Sequence, residues 1–195
     1  MDEEEYDEPE PVEIELDKSG LFAWVSEEDR ELLKFNWKAK QSGTKKFPHY
    51  YAFRKEYIGG HGIEYYLHTE VWERMMGARL PKDFLVDHIN GDKLDDRRSN
   101  LRLATRTDNE ANKPKRRTQS GGAPSSQYKG VSFVPGGREK CWRVTLTYEH
   151  KQIRLGAYTT EKEAAEVYNE AAVHYFGEFA YLNKFGEEEE KDYVD

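Results

Sequence analysis

A single cysteine, Cys141, in 195 residues excludes an intramolecular disulfide and any zinc cluster built on several thiolates. Cys141 itself reads as a packing residue, and a reducing compartment fits. No apolar run approaches the ~20 residues a membrane helix requires, and the acidic start lacks the basic and apolar stretches of a secretory signal. The sequence therefore predicts a soluble, non-secreted, cytoplasmic protein with no membrane partner. An apolar content of 36% supports one or two small domains with modest cores. A deep cavity for a small-molecule substrate is not expected. The nine Phe, four Trp and thirteen Tyr argue against wholesale disorder.

The formal charge of −8 is unevenly spread. Residues 1–17 hold ten acids and no base, and residues 187–195 hold six acids and Lys191, which leaves 29 bases against 22 acids in between. A basic body with acidic ends suits a polyanionic partner. The ends, residues 1–17 and 184–195, are predicted to be solvated, disordered tails.

Between the tails, "FAWVSEEDRELLKFNW" predicts a short helix opened by Ser26 and Asp29 in a capping-box-like spacing. Residues 32–55 hold seven Lys/Arg, no acid and many aromatics, a composition suited to strands. "YIGGHGIEYYLH" predicts a glycine turn between strands, and "HTEVWERMMG" a helix capped by Thr69 and stopped by Gly77. His68, His49 and His61 read as structural. "KPKRRTQSGGAPSSQ", residues 113–127, has the composition of a basic flexible tether. It divides residues 18–112 from a separate domain over 128–183.

The densest polar stretch is "VDHINGDKLDDRRSNLRLATRTDNEANK", residues 86–113. Its "DFLVDHI" and "NLRLAT" runs predict strands joined at "NGD", followed by a short helix that Thr107 caps. A calcium loop counted from Asp87 fails, because its third position is Ile89. A neutral imidazole at His88 can take a proton near neutral pH. An Asp carboxylate and an Asn carbonyl are hard oxygen donors suited to Mg2+ or Mn2+.

Asp87-His88, Asn100, Asn109 and the in-register "NLR" and "AT" resemble the HNH nuclease family, in particular phage-type homing endonucleases with a ββα-metal fold. The resemblance implies His88 as general base, Asn100 as the residue that pins the loop, and Asp87 and Asn109 as ligands of one divalent cation, with Asn112 one turn from Asn109 as the alternative third position. It implies hydrolysis of a DNA phosphodiester to 5′-phosphate and 3′-hydroxyl ends, one strand per site. It also implies a phage-borne protein acting in the host cytosol. Lys93, Arg97, Arg98, Arg102 and Arg106 surround the motif and are candidate phosphate contacts.

From Tyr128 on, Trp142, Val144 and Leu146 alternate with Arg143, Thr145 and Thr147, and Ile153 and Leu155 with Gln152 and Arg154. Ala164, Ala165, Val167, Tyr168, Ala171, Ala172 and Tyr175 then recur at helical spacing. "YKGV", Trp142, "RLGAYTTEKEAAEVYNEAA" and Leu182-Asn183 resemble the ethylene-response-factor type DNA-binding domain. That domain uses one sheet face to read the major groove, which here offers Arg143, Thr145, Thr147, Gln152 and Arg154. The expected fold class is α+β: a ββα-metal module with a β-rich N-terminal region over 18–112, plus a three-stranded antiparallel sheet packed on one helix. The expected protein is a monomeric, metal-dependent, site-specific endonuclease acting on double-stranded DNA. The alternative is a DNA-binding transcription regulator with an inactive HNH scaffold.

Overall fold

The computed structural model describes residues 10–45, 47–115, 125–135 and 141–185. Its chain divides into two compact units, residues 1–106 and 107–195. Both combine helix and antiparallel sheet, which is the expected α+β class.

In the first unit, β1 (Val12–Glu15) pairs antiparallel with β2 (Phe22–Val25), Val12 opposite Val25. Val12, Ile14 and Leu16 are buried in the core, whereas Glu13 and Glu15 face solvent. This corrects the reading of residues 1–17 as a disordered tail: from Val12 onward the acids occupy the outer face of a strand whose alternate residues are apolar. Residues 1–9 lie outside the described residues. A 3₁₀ turn, Glu27–Lys34, follows. Ser26 makes no side-chain cap there; its Oγ accepts from the Arg98 backbone N–H at 2.9 Å.

The meander β3 (Lys38–Thr44), β4 (Phe47–Ile58) and β5 (His61–Tyr66) runs in sheet order β3-β4-β5, turning at Gly59-Gly60. The helix α1 (Leu67–Met76) begins two residues before Thr69, with Tyr66 at the N-cap, and ends at Gly77. Thr69 thus lies inside the first turn, because Leu67 is drawn into the core. Leu67, Val71 and Trp72 pack with Trp37, Ala52, Val86 and Leu101. Two strands, β6 (Leu85–His88) and β7 (Leu101–Ala104), close this unit as an antiparallel pair with Asp87 opposite Arg102 and His88 opposite Leu101.

The helix α2 (Arg106–Asn112) starts at the last residue of the first unit and otherwise belongs to the second. Its first turn already contains Thr107, so Thr107 is not its cap. Three strands follow, β8 (Val131–Phe133), β9 (Trp142–Tyr148) and β10 (Lys151–Tyr158), in sheet order β10-β9-β8. The helix α3 (Glu161–Phe176) packs on them, its N-terminus capped by Thr160, whose hydroxyl accepts from the Glu163 N–H at 3.1 Å. Ala164, Ala165, Tyr168 and Ala172 meet Val131, Val144 and Leu146.

Gly130 explains the closeness of that packing. Its φ is +77°, and a Cβ there would stand 2.0 Å from the Tyr168 ring. The Asn183 side chain then ties the end of the domain to its start, accepting from Lys129 N–H at 2.6 Å and donating to Lys129 O at 3.1 Å. Residues 116–124 of the expected tether lie outside the described residues. Its edges are held: Lys115 Nζ donates to the carbonyls of Tyr128 and Val131, and Ser126 is buried. Phe185, counted with the C-terminal tail, packs its ring 5.5 Å from that of Tyr128. Among the described residues no helix is long and apolar enough to cross a membrane.

Candidate active site

The strand β6 carries Asp87 and His88 into the interior of the first unit, where both are buried. The connection to β7 is a twelve-residue loop, 89–100, built from nested polar turns. Gly91, at φ +82°, donates its N–H to His88 O at 3.0 Å. Asn90 Oδ1 accepts from Asp92 N–H, and Asp92 Oδ1 from Leu94 N–H. Asn100 spans this loop: its Nδ2 donates to Asp95 O at 2.7 Å, and its Oδ1 accepts from Asn90 N–H at 2.9 Å. From outside, Trp24 on β2 brackets the loop, donating to Leu94 O and accepting from Asp96 N–H, both at 2.8 Å.

That bracket delivers Asp96, wholly buried, to His88. His88 Nε2 lies 2.7 Å from Asp96 Oδ1. The His68 ring, at the start of α1, stands 5.3 Å from the His88 ring, and Tyr51 of β4 stands 5.5 Å from His68 and 6.4 Å from His88. Burial pushes the His88 imidazole down to about 3, helped by the Lys93 ammonium, and pushes His68 down to about 4. The same burial pushes the Asp96 carboxyl up to about 7. The low dielectric thus keeps both rings neutral.

Asp87 faces cations. Its Oδ2 accepts from Arg102 Nη2 at 3.0 Å and Nε at 3.2 Å, and Lys93 Nζ stands 3.9 Å from its Oδ1. The other arginines of the motif also meet carboxylates: Arg97 is bidentate on Asp95, and Arg98 on Asp29. Asp29 is fully buried and takes Arg74 as well, so the expected cap residue is an ion-pair node. Arg106 is exposed at the start of α2.

Two donor sets suit a divalent cation. Asp87 offers a hard carboxylate, appropriate to Mg2+ or Mn2+ completed by water and phosphate oxygens. His68, His88 and Asp96 bring one potential ligand atom each within 4.8 Å of one another. Within that trio Asp96 Oδ2 and His68 Nδ1 are sealed from solvent without a hydrogen-bond partner, an arrangement that an ion would satisfy. Spacing along the chain does not reveal His68, Asp96 or Tyr51, which three separate elements bring together.

Asn109 and Asn112 are half-buried on α2. In the second unit the end of that helix is held by Lys129 Nζ, which donates to the carbonyls of Ala111 and Lys113 at 2.6 Å, and by Tyr181 N–H on Ala111 O. On β9 and β10, Arg143, Thr147, Gln152 and Arg154 are exposed and Thr145 half-buried. Arg154 pairs in register with Thr145, and Gln152 with Thr147, so these side chains share the sheet face opposite the buried Val144 and Leu146.

A family model described as HNH endonuclease matches residues 65–111, which run from the end of β5 through α2. An uncharacterized HNH endonuclease of Acanthamoeba polyphaga mimivirus is 34% identical over 168 residues, 85% of this chain and 76% of that protein. Protein 3.8 of Escherichia phage T7 is 36% identical over 86 residues, 44% of this chain and 64% of that protein. An AP2/ERF and B3 domain-containing transcription repressor of Arabidopsis thaliana is 38% identical over 66 residues, 34% of this chain but only 18% of the repressor. With its β6–β7 motif and a viral relative matched over most of both chains, this protein belongs to the HNH endonuclease family.

Proposed function

We propose that the protein is a site-specific endonuclease of the homing type that nicks double-stranded DNA, with His88 as its general base. The observation that carries this reading is the His88–Asp96 contact at 2.7 Å inside a buried pocket. With Asp96 ionised, Nε2–H donates to Oδ1 and the Nδ1 lone pair is the basic site, as in other His–carboxylate pairs. Asp96 and Asn100 are positioning residues: the first holds the ring and its tautomer, the second the loop that follows His88.

Nδ1 removes a proton from a water. The oxygen of that water bonds to phosphorus while the P–O3′ bond breaks, giving a 5′-phosphate and, after solvent protonates the leaving oxygen, a 3′-hydroxyl. Asp87 and Asn109 would hold one Mg2+ or Mn2+, which supplies charge stabilisation for the phosphate and its leaving oxygen. Arg102 and Lys93, now on Asp87, become available to phosphate if the cation takes over that carboxylate. His88 is fully buried, so the surrounding side chains must open for water and DNA to reach it.

The second unit is the DNA reader, an ethylene-response-factor type domain over 128–183 that uses Arg143, Thr145, Thr147, Gln152 and Arg154. Arg97, Arg98 and Arg106 assist at the backbone. The protein works as a monomer in the cytosol of a host cell. Supercoiled plasmid incubated with and without Mg2+ tests the activity: open circles form only with the metal. Open circles in excess chelator would contradict the reading.

A further inference from the structure

We propose that His68, His88 and Asp96 form a second metal site, selective for a borderline ion such as Zn2+, whose occupation withdraws His88 from catalysis. The binding claim stands on geometry alone; the inhibition rests on the reading of His88 as general base.

The three side chains arrive from α1, from the end of β6 and from the loop 89–100, and their donor atoms lie within 4.8 Å of one another. Two imidazoles and one carboxylate with an open fourth position is a donor set that zinc accepts. With bonds of about 2.05 Å, tetrahedral ligands sit about 3.3 Å apart. The His88 Nε2–Asp96 Oδ1 contact of 2.7 Å must open slightly and the wider separations must close by no more than about 1.5 Å. Side-chain rotation within the pocket can supply both.

A second observation points to a ligand. Asp96 is 0% exposed, yet its Oδ2 has no hydrogen-bond partner, and neither has the sealed Nδ1 of His68. A buried carboxylate with an unmet oxygen beside two neutral imidazoles lacks a cation, not a proton donor alone. His68 is only half-buried as a residue, which gives an ion its way in. The set is distinct from Asp87, whose oxygens face Arg102 and Lys93. Imidazole nitrogen favours zinc over magnesium, so the two donor sets divide between two kinds of ion.

Co2+ serves as the spectroscopic probe, titrated into the full-length protein without magnesium, with Zn2+ then added in competition. One equivalent of Co2+ should give the intense visible bands of a four-coordinate ion, and one equivalent of Zn2+ should abolish them. Loss of an outer-shell partner alone costs 10–100-fold in metal affinity, so His68→Gln and Asp96→Asn should each weaken Zn2+ binding about 100-fold. Asp87→Asn should leave it in place. Far-ultraviolet circular dichroism checks that the variants fold, and the wild-type cobalt spectrum does not depend on any variant. In plasmid nicking supported by Mg2+, Zn2+ should inhibit the wild type at the concentration that fills the site. For His68→Gln the inhibitory concentration, measured against that variant's own zinc-free rate, should rise about 100-fold.

Absence of four-coordinate cobalt bands overturns the site, as does a spectrum lost in Asp87→Asn but kept in His68→Gln. Zinc that binds the trio without slowing nicking overturns the inhibition. Cobalt binding by a protein that nicks no DNA leaves the site standing and removes the nuclease mechanism instead.

Discussion

At the scale of the residue, the proposed chemistry gathers around one hydrogen bond between His88 Nε2 and Asp96 Oδ1. Burial raises the Asp96 carboxyl to about 7. Below that pH the shared proton rests on Asp96, which donates to Nε2 and leaves Nδ1 carrying the other ring proton; above it, Nδ1 is the acceptor. On the proposed mechanism kcat/KM should rise with pH through a limb near 7. Asp96→Asn retains an amide oxygen to accept from Nε2–H and has no proton to lose, so its profile should lack that limb. Asp96→Ala should lose at least about 100-fold in kcat, the scale of a general base deprived of its orientation. Stability carries a second signature. His68 falls to about 4 in the folded state, against about 6.5 unfolded. Its contribution is therefore complete above about 6.5 and lost as pH falls toward 4. Asp96, raised on folding, works in the opposite direction between about 4 and 7. His88, lowered to about 3 by burial, works in the same direction as His68 and tips the balance, so urea unfolding at pH 6.5 and 4.5 should show the wild type weaker in acid, and His68→Gln should reduce the slope by about one proton.

At the scale of the element, much of the local fold around the candidate site was legible because its signals are local. "NGD" and the flanking apolar runs mark a strand, a polar loop and a second strand, and these are β6, the loop 89–100 and β7. The loop is longer than a tight hairpin turn because Asn90, Asp92, Asp95 and Asn100 nest their side-chain bonds one within another. Asp96 and His68 were not legible as a pair, since they stand twenty-eight positions apart in the chain and only the bracket from Trp24 and the start of α1 brings them together. Asp29 and the arginines Arg74 and Arg98 stay hidden in the sequence for the same reason. The strand β1 does leave a local trace: Val12, Ile14 and Leu16 alternate with acids, a period-two pattern that the net charge conceals. Ile14 is buried in the first core, and Ile14→Ala should cost about 2–5 kcal/mol in urea titration. Gly130→Ala should destabilise the second unit alone, as the new methyl meets both a positive φ and the Tyr168 ring.

At the scale of the whole molecule, the two units carry different expectations. On the proposed reading of the second unit as a DNA reader, the exposed Arg143 of β9 and Arg154 of β10 should supply phosphate or base contacts without taking part in chemistry. Replacing both by alanine should weaken DNA binding and flatten the dependence of log K on log salt by up to about 1.8, since each phosphate that is no longer neutralised lowers the slope by about 0.9. Metal-dependent nicking should persist at raised protein concentration; an unchanged salt slope would remove this face from the reader. The most direct test of the central claim is nicking of supercoiled DNA in Mg2+ by wild type and His88→Ala, with DNA affinity measured on the same preparations. A general base at His88 predicts open circles from the wild type only, with both proteins binding DNA alike. Cleavage by His88→Ala at the wild-type rate would contradict it.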